Sequence, residues 1–443
     1  MLKLKMIHVL ALIAFVGMFS SCKKYFGDVN KNPNDPAVVT PDVLLPIIQT
    51  NLAYTYWGDG SRFASIYTQH IDGVTRQFSV IQNYGIQGSD VDNMWSNLYS
   101  GVLADIKKLK EISVDKGYNH YEGAALVLEA YTLMFVTDMW GDIPYSNGFA
   151  GTDNLAPQFD SQESVYNTVF TLLDQAEAKL NVAAEGRAPA ADDLFYGGDE
   201  AQWIKMINGL RARASLHLAK RNNSYYNDVL TALNNGLASS ADDARLPFEA
   251  TASGSAPWFQ YIEQRADIAE GSNYVARLNA LNDPRVDFFG HDLTDVAHPY
   301  FTADQAVPML SYTEALFMKA EALFKTEGAT ANTHDAYLDA IAASFDELDL
   351  NSDYAAYVAQ NDVDPGQANL TLDNIMTQKY LSLYADPEVF NDWRRTGIPS
   401  LTPNSGSEVP RRLPYSENEV TFNSSASAYL TTTIFQRIWW DVN

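Results

Sequence analysis

Apolar residues recur along the chain with a helical period. Ala125, Leu128, Thr132, Phe135 and Met139 follow a 3-4-3-4 spacing that puts them on one helix face. Trp203, Ile207, Leu210, Ala214 and Leu218 do the same, as do Tyr312, Leu316, Ala320 and Leu323. The pattern predicts further helices at about 91–111, 161–180, 224–238, 334–348 and 371–384. Start signals accompany two of them: Ser161 precedes Gln162 and Glu163 with Ser164 three on, and Asp199 precedes Glu200 ahead of Trp203. Many of these helices come in pairs joined by short turns. The expected fold is therefore all-α, built of tetratricopeptide-like helical hairpins, although the consensus of that repeat is not clearly present. Between the helices the pattern leaves long irregular stretches at 54–90, 141–160, 182–199, 241–310, 350–370 and 395–435. Loops of that length are usually functional, and the aromatic residues concentrate in them. No charge-run linker divides the body, and 41–443 reads as a single domain.

The first forty residues follow other rules. Lys3 and Lys5 precede an apolar run from Met6 to Phe19, followed by Ser20, Ser21 and Cys22. A basic start, an apolar core and a small-residue cleavage site describe a secretory signal over 1–21. The run is shorter than the ~20 residues a spanning helix needs. Cys22 stands where a bacterial lipoprotein signal places its lipidated thiol, with Phe19 where Leu is usual. Acyl chains on Cys22 would hold the protein to a membrane by burying methylenes, each worth ~0.8 kcal/mol. An ordinary signal with an incidental cysteine, or a membrane anchor, are the other readings. Residues 22–40 are polar and rich in Asn, Asp and Pro, which reads as an extended tether with local Asx turns.

Composition narrows the chemistry. The chain has 443 residues, 46% of them hydrophobic, enough for a substantial core. Its formal charge of −25 repels phosphate backbones and argues against nucleic acid. Cys22 is the single cysteine, so an intrachain disulfide, a thiolate zinc site and thiol catalysis in the body are all excluded. Among seven histidines no pair has the i, i+4 spacing of a helical zinc site. There is no phosphate loop, dinucleotide glycine pattern or Gly-x-Ser-x-Gly elbow. Neither a metal nor a cofactor is expected.

The candidate residues are mostly aromatic. Tyr54, Tyr56 and Trp57 run into Gly58-Asp59-Gly60, with Tyr67, Tyr84 and Trp95 soon after. Trp258, Phe259, Tyr261 and Tyr274 form a second group. Tyr and Trp offer a flat apolar face with a polar handle, which suits sugar rings and extended peptides. Gln69, Arg76, Gln77, Gln82 and Asn83 lie between them and carry groups that hydrogen-bond hydroxyls or amides. For any one ring alone, core packing is the commoner role, and Trp95 in particular shares a helical spacing with Leu98 and Val102. The expected ligand site is Tyr54, Tyr56, Trp57, Tyr67, Gln69, Arg76, Gln77, Tyr84, Trp258 and Tyr274. Two acidic clusters have plainer readings. Asp142, after Asp138 and Trp140-Gly141, is expected to support a turn. Asp28, Asn30, Asn32 and Asn34 alternate as in a calcium loop, but Pro33 replaces the needed glycine and Asx turns are the better account. Arg394-Arg395 and Arg411-Arg412 are expected to pair with acids and pin the C-terminal segment, with an anion site as the other reading. A carboxylate pair hydrolysing a glycoside stays open among 55 acids.

Several blocks, taken in order, resemble one family. They include Cys22 after the signal, FGDVNKNPNDP (Phe26–Pro36), TPDVLLP (Thr40–Pro46) and MWSNLYSGVLADIKKL (Met94–Leu109). They continue through EAYTLMFVTDMWGDIPYSNGF (Glu129–Phe149), WIKMINGLRARASLHLAKR (Trp203–Arg221), DPRVDFF (Asp283–Phe289) and MLSYTEALFMKAEAL (Met309–Leu323). IMTQKYLSLYADPEVFNDWRRTG (Ile375–Gly397) and VPRRLPYSENE (Val409–Glu419) complete the set. The chain resembles the SusD/RagB-like outer-membrane nutrient-binding lipoproteins. The resemblance implies a scaffold of four tetratricopeptide-like helix pairs, an irregular ligand-binding face and no catalytic activity. It also implies a lipid-anchored place on the outer membrane, an oligosaccharide or peptide ligand, and a SusC-like TonB-dependent transporter as partner. An envelope glycoside hydrolase and a helical-repeat scaffold protein are the alternatives.

Overall fold

Helix formation starts from side-chain caps. In the computed structural model, which describes residues 39–290, 292–293 and 302–443, Ser161 accepts the amide of Ser164 and opens a helix over Gln162–Leu180. Asp199 accepts the amides of Ala201 and Gln202, Ser311 that of Glu314, and Thr330 that of Thr333. Each cap satisfies an amide that the first helical turn would otherwise leave without a partner. The scaffold helices are α1 (Pro41–Thr55), α2 (Ser61–Thr68), α3 (Ala104–Lys116), α4 (Asn119–Trp140), α5 (Gln162–Leu180) and α6 (Glu200–Leu218). They continue as α7 (Tyr225–Leu233), α8 (Tyr312–Glu327), α9 (Ala331–Asp346), α10 (Leu372–Ser382) and α11 (Glu388–Thr396).

From α3 to α9 each helix packs on the next, so antiparallel neighbours stack into a solenoid of hairpins. The fold is all-α and tetratricopeptide-like, as the spacing predicts. Helix α4 is buried on nearly every side and forms the axis of the body. At Gly123 it runs so close to α5 that a Cβ would stand 2.7 Å from Leu180, which is why a glycine occupies that turn. A second core, around Phe317, Tyr337, Ile341 and Phe345, welds α8 and α9 to α10.

Three two-stranded antiparallel ribbons staple the connections: Ile71–Gly73 with Ile268–Glu270, Ile143–Pro144 with Phe159–Asp160, and Ala244–Leu246 with Val307–Leu310. By contacts the chain separates into 1–40 and 41–443. Cys22, the signal and the Asp28–Asn34 run lie outside the described residues.

Three of the expected irregular stretches change. The stretch 54–90 is not a loop. Helix α1 runs through Thr55 into a π-turn at Tyr56–Gly60, which leads directly into α2, and a short helix follows at Arg76–Gln82. Likewise 241–310 holds helices at Pro257–Gln264 and Ser272–Ala280, and 350–370 holds one at Asn351–Val358.

The paired arginines behave as expected in part. Arg395 is buried against Glu321 and Asp392, and Arg411 binds Asp441 at 3.1 Å. Arg394 and Arg412 instead donate to backbone carbonyls, of Asp138 and Arg411 and of Trp140. Together they pin the C-terminal segment against the end of α4.

Candidate functional site

Most of the rings singled out from the sequence face inward. Tyr56 and Trp57 are buried, and each finds a core partner. The Tyr56 hydroxyl donates to Asp386 at 2.8 Å and the Trp57 indole to the Pro308 carbonyl at 2.7 Å. Tyr67 is sealed between Tyr84 and Phe390, and Tyr274 donates to the Leu381 carbonyl at 2.8 Å. Trp258 donates to Ser61 at 3.1 Å. Gln69 is buried under Thr402 and Asn404, and the hydroxyl of the buried Tyr84 accepts the Asn404 amide. The physical reason is the π-turn. At Gly58, where the backbone leaves helical geometry (φ −86°, ψ −107°), the chain kinks between α1 and α2, and Tyr56 and Trp57 just before the kink face the interior, Tyr56 packing on Tyr131 and Phe135 of α4. These seven side chains offer no face to a ligand in this conformation, a correction to the expected site. Tyr54, Arg76 and Gln77 stay at the surface. Tyr54 donates to Gln260, Arg76 pairs with Asp267 at 3.2 Å, and Gln77 donates to Asp90.

An aromatic-lined groove does exist, elsewhere. It has a volume of about 530 Å³ and lies between the segment leading into α3 and the helix at Glu417–Phe422. Trp95 and Tyr99 stand four residues apart across a π-turn at Asn97–Leu103. Their rings stack at 4.7 Å with 26° between planes, and Phe149 continues the stack on Tyr99 at 6.1 Å and 17°. Trp140 braces Trp95 edge-on at 5.1 Å and Tyr415 does so at 6.2 Å. Trp95 itself is only 6% exposed and forms the floor. Phe422, 78% exposed, forms the opposite wall.

Polar groups border these rings. Asp92 accepts from Ser416 Oγ at 2.6 Å and from the Asn418 amide at 3.2 Å. Glu419 accepts from Asn423 at 2.6 Å and from the Trp95 indole; burial pushes its carboxyl above the ordinary range. The Tyr99 hydroxyl is buried at the groove with no hydrogen-bond partner among the described residues. Apolar ring faces with a few convergent polar groups are the usual composition of a small-ligand site.

A second groove, of about 490 Å³, lies among α5, α6 and α7. Its Arg211 is already held by Asp174 and Glu177, at 2.7 and 2.5 Å, and its rings, Phe170 and Tyr225, form no stack. The buried acids Asp138 and Glu388 border a void of about 10 Å³, too small to admit a sugar. Among the described residues no three His, Asp or Glu gather as a metal site. Asp142 accepts from the Gln162 amide at 2.9 Å and from Tyr429 at 3.1 Å, so it ties the segment after α4 to the start of α5 and to the C-terminal segment.

The family model SusD-like_2, "Starch-binding associating with outer membrane", matches residues 33–299 and 292–416. The chain belongs to the SusD-like family. Solved structures agree on the fold. This SusD-like chain superposes on a SusD/RagB family protein from Bacteroides thetaiotaomicron with a TM-score of 0.77 at 23% identity, over 91% of this chain and 99% of that one. A SusD homolog from Bacteroides fragilis gives 0.74 at 22% identity, over 91% and 99%. A chitin-binding SusD homolog from Flavobacterium johnsoniae gives 0.73 at 21%, over 91% and 97%. A search of curated proteins finds no match. SusD-like proteins associate with the outer membrane and are generally binding proteins without catalytic activity. Among the described residues of this SusD-like chain no helix is long and apolar enough to cross a membrane.

Proposed function

We propose that this SusD-like protein captures oligosaccharide in the groove floored by Trp95 and walled by Tyr99, Phe149 and Phe422, and passes it to a SusC-like TonB-dependent transporter. The observation that carries the reading is the continuous ring stack from Trp95 through Tyr99 to Phe149, set in an open groove faced by the exposed Phe422. Sugar rings have apolar C–H faces and polar edges, so stacking and directed hydrogen bonds recognise them together. Support comes from the family description, starch-binding, and from the chitin-binding homologs of the same fold. Acylation of Cys22 after cleavage of the signal would keep the groove at the membrane beside that transporter.

Asp92 and Glu419 act here as hydrogen-bond acceptors for sugar hydroxyls, and their partners Ser416, Asn423 and Trp95 hold them in place. The test is titration calorimetry of the full-length protein in detergent with neutral hexasaccharides, read beside a turnover assay on the same sugars. Phe422→Ala removes an exposed ring and is expected to weaken binding roughly tenfold, about 1.4 kcal/mol, with no change in melting temperature. No product sugars should appear. Unchanged affinity in Phe422→Ala, or hydrolysis abolished by Glu419→Gln, would refute the reading.

A further inference from the structure

Resting on the proposal that this groove is the glycan site, we infer that it takes uncharged oligosaccharides and turns away those bearing uronate or sulfate groups. The residues that line it carry two carboxylates, Asp92 and Glu419, and no Lys or Arg. The ammonium of Lys107 comes to Phe149 from outside the lining and donates to its carbonyl oxygen at 2.9 Å. Both groove acids accept hydrogen bonds from neutral partners only: Ser416 and Asn418 at Asp92, Asn423 and Trp95 at Glu419. Neither charge is cancelled by a cation in those contacts. An anionic sugar stacked on the rings would bring a like charge within a few ångströms of them, in a partly desolvated wall where Coulomb energies exceed their value in bulk water. Hydroxyl and acetamido groups meet no such repulsion, because they can donate to carboxylates. The formal charge of −25 adds a long-range field of the same sign, which slows the approach of polyanions.

The experiment is calorimetry on the full-length protein in detergent with maltohexaose, cellohexaose, chitohexaose and hexagalacturonate, at 50 and 500 mM NaCl. At 50 mM the tightest neutral hexasaccharide should bind at least tenfold more tightly than hexagalacturonate. The ratio should narrow at 500 mM, where charges are screened over about 4 Å rather than more than 10 Å. It should narrow as well in Asp92→Asn/Glu419→Gln. Hexagalacturonate binding as tightly as the neutral sugars, and losing affinity in Phe422→Ala, would overturn the charge selection while leaving the groove as the site. Binding of every hexasaccharide unaffected by Phe422→Ala would remove the groove itself, and the selection with it.

Discussion

Arg285 has no access to solvent, and all of its polar hydrogens point at protein groups. Its Nε and Nη2 grip Asp283 at 2.6–3.1 Å, Nη1 donates to Ser344 and Ser382 at 3.0 and 2.7 Å, and Nη2 also reaches Gln378 at 2.9 Å. Asp283 is equally buried and additionally accepts the Tyr357 hydroxyl at 2.8 Å. Replacing Arg285 with Met keeps volume but strands a carboxylate in the core. Breaking a buried pair by removing one partner costs about 3–5 kcal/mol, because the remaining charge is left uncompensated. With an unfolding entropy of ~2.1 cal/mol/K per residue over about 400 residues, 1 kcal/mol corresponds to about 1.2 °C. Arg285→Met should therefore melt about 4–6 °C below wild type in differential scanning calorimetry at pH 7. Adding Asp283→Asn removes the stranded charge, so the double variant should melt no lower than Arg285→Met. A loss under 1 °C for the single variant, or losses that simply add in the double, would show that charge compensation is not what Arg285 supplies.

Trp57→Ala should cost about 3–5 kcal/mol by opening a cavity in the core, a fall in melting temperature of several degrees, whereas Tyr54→Ala, at the surface, should stay within about 0.5 kcal/mol; equal melting temperatures would put Trp57 back at the surface. The pH profile should report His217: burial alone lowers its pKa, but the Glu388 and Asp138 carboxylates outweigh this and push it up to about 9. Its folded value lies above the unfolded one of about 6.5, so the stabilisation is complete below about pH 6.5 and lost as pH rises through about 9. Melting temperature should fall across that window, and the fall should flatten in His217→Gln; an equally steep fall in the variant would assign it to other groups.

The scaffold was legible because its signals are local. Periodic Trp203–Leu218, capped by Asp199, and the stretch 161–180, capped by Ser161, became helices close to the expected bounds, and the Tyr312–Leu323 periodicity falls within α8. Helix α1 escaped because Pro46 sits inside it and Gly58 and Gly60 follow it, both ordinary breakers. Yet Leu45, Ile48 and Leu52 share one buried face, and that 3-4 spacing was readable. Ring clusters failed as a site signal because a Tyr or Trp with a polar handle is as well served by a buried partner as by a ligand; Tyr56 and Trp57 found Asp386 and Pro308. Trp95 was read as packing, correctly for most of its surface. Its i, i+4 relation to Tyr99 was visible, but Phe149 reaches the groove from a distant loop and Phe422 from a distant short helix, a convergence no local pattern records.

The same tertiary convergence explains how irregular chain can present a groove with fixed geometry. The stretch between α11 and the Glu417–Phe422 helix lacks regular structure, yet the end of α4 holds it at successive points. Trp140 donates to the Pro414 carbonyl at 2.7 Å, Tyr415 to that of Asp142 at 2.8 Å, and Arg412 to that of Trp140. Ser416 then binds Asp92, which ties the Glu419–Phe422 wall to the segment bearing Trp95. Each bond satisfies a backbone or side-chain group that burial would otherwise leave unmet, so stability and site geometry share the same contacts. A ligand entering such a groove orders little chain, and the entropy of ordering is not charged against its affinity. Side chains that face the groove without bracing it, Phe422 above all, are then free to change ligand preference while α4 keeps the rest in place.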